Sequence, residues 1–174
     1  MIRPGTFLLI AMAAACSPRS PAKVDDPAPA PAPAPDAGAG AAAPAVTLER
    51  TPCFGTCPVY QVAISRSGAV RFTGRHHVTR EGEATAAVPA ERVDSLLHQL
   101  EAGGYFGFAE AYVMDAPSCG RYATDSPSVI TSVTVGGRSK TIRHDYGCSG
   151  APPELARLER LIDEVAGTSR WTGH

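Results

Sequence analysis

No stretch of the 174-residue chain holds about 20 consecutive apolar residues, so the sequence offers no membrane-spanning helix. Basic residues are not in excess either. From Thr47 onward, 12 arginines and one lysine stand against 14 acidic residues, a net charge of −1. A nucleic-acid binder needs a basic field to gather phosphates, and this balance excludes a general one. The short cysteine spacing that marks zinc sites when it occurs twice occurs here once, at Cys53 and Cys57. There is no G-x-S-x-G elbow, and no strand–helix–strand pattern surrounds the paired cysteines as in a thioredoxin-like enzyme. What is left is a chain of one-domain size with appendages, and no motif that names a substrate.

What is present begins with Met1-Ile2-Arg3, a short basic opening, and Thr6–Ala15, an apolar run of signal-peptide length. The AAAC of Ala13–Cys16 resembles the lipobox of bacterial lipoproteins, where the signal is cut off and the cysteine is acylated with palmitate-type chains. Leu is usual where Ala13 stands, and ordinary secretory cleavage near a small residue is the alternative. On the lipoprotein reading, residues 1–15 are the signal and Cys16 becomes the lipidated N-terminus that holds the chain to a membrane. Ser17, rather than Asp, follows it. By the same resemblance this points to the outer membrane, with the folded part in the periplasm or at the cell surface. Residues 16–46 then form a tether. Pro27–Pro35 alternates proline with alanine, which excludes a helix or a sheet centre and leaves an extended spacer of at most ~3.1 Å per residue. Lipidation of Cys16 also leaves an even set of four cysteines, as two disulfides in an oxidising compartment require.

A single globular domain is expected over residues 47–171. Val59–Ser65 alternates apolar and polar residues, a Ser67-Gly68 turn follows, and Ala69–His77 alternates again, which predicts a β-hairpin. Glu83–Val88 is a weaker third strand. Pro89 and Glu91 open a helix whose Val93, Leu96, Leu97 and Leu100 share one face, and Gly103-Gly104 stops it. The long irregular piece Tyr105–Ser126 brings aromatics to plug the core. Ser128–Val135 and Arg138–His144 flank Gly136-Gly137 as a second hairpin, with its register left open. Pro152-Pro153-Glu154 starts a second helix with Leu155, Leu158, Leu161, Ile162 and Val165 on one stripe. The expected class is α+β: two antiparallel hairpins, each followed by an amphipathic helix, in one four- or five-stranded sheet with both helices on one face.

CFGTCPVYQVAISRSGAVRFTG, with the second hairpin and the last helix, resembles an uncharacterised bacterial family of exported, often lipoprotein-borne domains that open with C-F-G-x-C-P-x-Y. The resemblance covers Leu48–Trp171 and implies no established activity.

The candidate sites follow from chemistry. Cys53 and Cys57 lie too far apart to bridge in an extended strand, whereas a tight turn at Phe54-Gly55-Thr56 brings them within disulfide range. Cys119 and Cys148 are then left as a second pair, although four cysteines allow three pairings. The alternative is a thiolate site or thiol-redox centre at Cys53 and Cys57. Copper or zinc would be the metal, and His76, His77 or His144 a further ligand, with Cys53, Cys57 and His76 the leading set. His144-Asp145-Tyr146 and Ser149 invite a hydrolase reading, but a strand end, a turn and a helix cap account for them. On the outer face of the first hairpin, Arg71, Arg75 and His77 form a basic line, either a solvated face or a patch for an anionic glycan or an acidic protein. No cofactor and no catalytic residue are expected, and the sequence does not fix an oligomeric state.

Overall fold

The computed structural model describes residues 43–173. The signal segment, Cys16 and nearly all of the tether lie outside the described residues. Seven strands are present: β1 Val46–Arg50, β2 Val59–Ile64, β3 Ala69–His76, β4 Gly82–Ala87, β5 Ala111–Tyr112, β6 Ser128–Val135 and β7 Arg138–Asp145. They form one mixed sheet in the order β4-β3-β2-β1-β6-β7-β5. Helices α1 (Ala90–Ala102), α2 (Pro153–Ala166) and α3 (Ser169–Thr172) complete the domain, with a short 3-10 turn at Tyr105–Gly107.

Both predicted hairpins form. Gly68 takes φ +88°, and Gly136 and Gly137 take +56° and +76°, a region closed to most side chains and suited to a two-residue turn. The expectation of four or five strands is corrected to seven, and a purely antiparallel sheet to a mixed one. The main reason is β1. Its alternation offers only Val46 and Leu48 as inward apolar positions, and it abuts an Ala/Pro-rich segment that hides it. It pairs antiparallel with β2 on one side and β6 on the other, so it fuses a three-strand meander to the second hairpin. The other addition, β5, contributes two residues that pair parallel to β7.

The apolar stripes predicted for the helices are the buried ones: Val93, Leu96, Leu97 and Leu100 on α1, and Leu155, Leu158, Ile162 and Val165 on α2. The two helices pack on each other and close one face of the sheet. The third helix was not expected. It places Trp171 against Phe72, ring centroids 4.8 Å apart, to finish the core. Tyr105 and Tyr112 are buried, and Phe106 and Phe108 pack against the core, as an aromatic plug requires. On the other face Gln61, Arg71, Thr141 and Arg143 stand in solvent, as in an antiparallel sheet covered on one side.

Candidate functional site

Strand register sorts the inner face of the sheet into rows. One row contains Ala86, Val70, Ile64, Val46 and Val133, and the next Ala84, Phe72, Val62, Leu48, Thr131 and Ile142. Thr131 faces inward in register with Leu48 and Ile142, and its buried hydroxyl is satisfied by that of Tyr105 at 2.7 Å. The third row changes character: Tyr60, Arg50, Val129, His144 and Tyr112. Two carboxylates one turn apart on α2, Glu159 and Asp163, lie over it.

Arg50 donates through Nε (2.9 Å) and Nη2 (2.6 Å) to Asp163 Oδ2. Tyr60 donates to Asp163 Oδ1 at 2.6 Å, and the Thr168 hydroxyl does so at 3.2 Å. Burial works against the charge of Arg50, but Asp163 and Tyr60 outweigh it and hold the guanidinium above its ordinary value. Burial, then Asp163, pushes the Tyr60 hydroxyl far above an ordinary phenol. Beside this set, His144 Nδ1 hydrogen-bonds Glu159 Oε1 at 2.9 Å, and Tyr146 donates to Glu159 Oε2 at 2.8 Å. The His144 ring stacks on Tyr146, with centroids 4.6 Å apart. Burial, then Glu159, raises the Tyr146 hydroxyl. The oxygens of both carboxylates are thus occupied by protein donors, and the network clamps α2 to the sheet. Next to it a cleft of about 580 Å³ opens between Pro58 and Tyr60 on one side and the end of α2 with α3 on the other.

Strand direction gathers four connections at one end of the sheet: 51–58, 77–81, 113–127 and 146–152. The chain enters β1 at the opposite end. The Cys53–Cys57 disulfide closes the first connection, and Cys119–Cys148 ties the third to the fourth. Their Cα separations, 5.8 and 4.6 Å, lie in the ordinary disulfide range. Backbone bonds add further braces: Phe54 N to Asp125 O at 3.1 Å, Tyr146 N to Pro127 O at 3.0 Å, and Ala123 N to Gly147 O at 2.9 Å. Gly147 has no room for a side chain, since a Cβ there would stand 2.0 Å from the Ala123 carbonyl oxygen. Among the described residues the exposed large hydrophobics are Phe54 (88% exposed), Met114 (57%), Tyr122 (38%) and Tyr146 (37%), and all four lie on these connections. So do all the non-glycine residues with positive φ among the described residues, His77, Asp115 and Asp125.

The fate of the predicted site residues is mixed. Both expected disulfides are present. Cys53 and Cys57 are half-buried in an otherwise exposed loop, whereas Cys119 and Cys148 are buried. His76 closes β3 opposite Val59. Among the described residues, no three or more of His, Cys, Asp and Glu are grouped as a metal ion would need. The three residues of the basic line on β3 differ in setting. Arg71 is exposed, but Arg75 sits at a bulge and pairs with Glu49 at 2.9 Å. His77 turns out of the strand at φ +54°. His144 and Asp145, adjacent on β7, point to opposite faces. His144 meets Glu159, while Asp145 accepts from Gly147 N at 2.8 Å. Ser149 accepts from Arg121 N instead of capping α2. The Arg50–Asp163 and His144–Glu159 pairs were missed. One signal existed, since Glu159 falls inside the apolar stripe of its own helix.

A family described as Domain of unknown function (DUF6438) matches residues 44–166. The chain belongs to that family. The DUF6438 segment contains β1, both disulfides and both carboxylates of α2, and it ends before Trp171. No curated protein matches the chain.

Proposed function

We propose that the chain is a bacterial envelope lipoprotein, held by an acylated Cys16 at the outer membrane, whose domain binds a partner or scaffolds the envelope without catalysis. One observation supports this reading above the others. Every exposed large hydrophobic among the described residues is gathered on cross-braced loops at one end of the sheet, away from where the chain enters. Rigid aromatic tips gain contact area at little entropic cost, as binding loops require. The same loops carry Arg80 and Arg121 against Glu81, Asp115 and Asp125, a near-neutral surface that suits a protein partner better than an anionic glycan.

The test has two parts. With Cys16→Ser the protein should leave the membrane fraction, and unchanged membrane association refutes the anchor. A photo-reactive phenylalanine analogue at position 54 should cross-link in cells, whereas one at position 136, at the other end of the sheet, should not. Equal labelling at both positions refutes the binding surface. The rival reading, a thiolate metal or thiol-redox site at Cys53 and Cys57, draws on the accessibility of that ring. Intact mass with and without reductant separates the two: free thiols with bound copper or zinc favour the rival.

A further inference from the structure

The cleft and the most exposed large hydrophobic among the described residues lie at the same end of the sheet. Pro58 and Tyr60 form one wall of the cleft, with Arg160, Glu164, Thr168 and Thr172 opposite. Its volume, about 580 Å³, lies in the range that accepts a group as large as an aromatic ring. Phe54 stands four residues before Pro58, on a ring closed by Cys53–Cys57 and fastened to Asp125 O, and its side chain is 88% exposed. A rigid apolar knob and a hole thus share one end of one molecule. That is the arrangement an isologous two-fold contact requires, because each copy must offer both halves.

The charges on the rim fit the same symmetry. Arg160 and Glu164, one helical turn apart on α2, form no side-chain hydrogen bond or ion pair among the described residues. A two-fold axis perpendicular to α2 between these two residues would set the Arg160 of one copy against the Glu164 of the other, and the reverse. The remaining cleft pair, Arg50 and Asp163, is already neutralised internally at 2.6 Å. The chain enters β1 at the far end of the sheet from these loops. The low net charge of the loop end also spares a like copy strong repulsion.

We propose that a second copy of this chain docks head to head on the loop end, with the Phe54 of each copy entering the cleft of the other. This names the partner of the surface put forward above. It rests on that surface and not on the lipid anchor.

The mature chain with Cys16→Ser, disulfides intact, is measured by sedimentation velocity at rising concentration up to about 1 mM, since a contact of this size is expected to be weak. Wild-type loops should give a concentration-dependent dimer, and Phe54→Ser, an exposed change that leaves the core untouched, should give monomer throughout. Arg160→Glu and Glu164→Arg should each weaken the dimer about tenfold or more. The double reversal should restore it, because the signs are exchanged on both copies. A monomer at every concentration overturns the inference, as does a dimer indifferent to Phe54→Ser or a double reversal no better than the singles. If the chain is monomeric yet position 54 still cross-links to a different protein in cells, the dimer falls and the binding-surface reading stands.

Discussion

Replacing Glu159 tests whether the polar row clamps the domain. Glu159 is 1% exposed, and its oxygens are taken by His144 Nδ1 and the Tyr146 hydroxyl. Glu159→Leu keeps much of the volume and strands the His144 nitrogen, on a residue only 4% exposed, without a partner. A buried polar group left unsatisfied costs about 1–3 kcal/mol. Tyr146 is 37% exposed and recovers a water, so it adds little. The expected loss is therefore about 2 kcal/mol. Changing both partners, His144→Leu with Glu159→Leu, removes the stranded group and should cost less than the single change, since an apolar pair often matches a buried polar one. Urea unfolding at neutral pH, followed by Trp171 fluorescence and circular dichroism with disulfides intact, measures each step at constant m. Coupling between the two sites should reach about 1 kcal/mol or more. A single variant within about 0.5 kcal/mol of wild type, or two strictly additive changes, would refute the clamp.

Three further outcomes are expected. Removing Cys119–Cys148 by paired alanines should cost about 3.5 kcal/mol and removing Cys53–Cys57 about 2, from the lengths of the loops they close; the reverse order in urea midpoints contradicts that account. Burial holds the Tyr60 and Tyr105 hydroxyls far above the ordinary phenol range. Unfolded phenols release protons near pH 10 while these keep theirs, so stability is full below about pH 10 and then falls by up to ~1.4 kcal/mol per pH unit per tyrosine. In an absorbance titration both phenolates should appear only with unfolding, and earlier titration refutes their burial. Gly147→Ala must displace the Ala123 carbonyl, from which a Cβ would stand 2.0 Å away, and should cost about 2 kcal/mol or more, read as a drop in melting temperature.

Long periodic segments and turn glycines were legible in the sequence. Leu155, Leu158, Ile162 and Val165 announce α2, and Gly136-Gly137 announces the second hairpin, because local spacing alone decides them. β1 was not legible, since Val46–Arg50 becomes a strand only through partners on both sides, one of them about 80 residues away in sequence at Ser128–Val135. The candidate site was half legible. An even set of four cysteines suggested two disulfides without fixing their pairing, whereas Arg50 meets Asp163 only after α2 has crossed the sheet. On β3 the alternation runs as far as Arg75, and His77, expected in line with it, lies beyond the strand in a left-handed turn that local spacing does not announce.

The place of β1 bears on how the domain carries load. The chain enters at Val46, at the near end of the central strand, and β1 is paired along its whole length with β2 and with β6. Tension applied ahead of Val46, against a grip on the loops 113–127 and 146–152 joined by Cys119–Cys148, would run parallel to β1. Both ladders are then loaded in shear, and their hydrogen bonds must yield together rather than open one after another. Mechanical lifetime under such tension is set by the unfolding rate along that direction and not by equilibrium stability. Under such a load the sheet would bear the pull along the direction of its own strands.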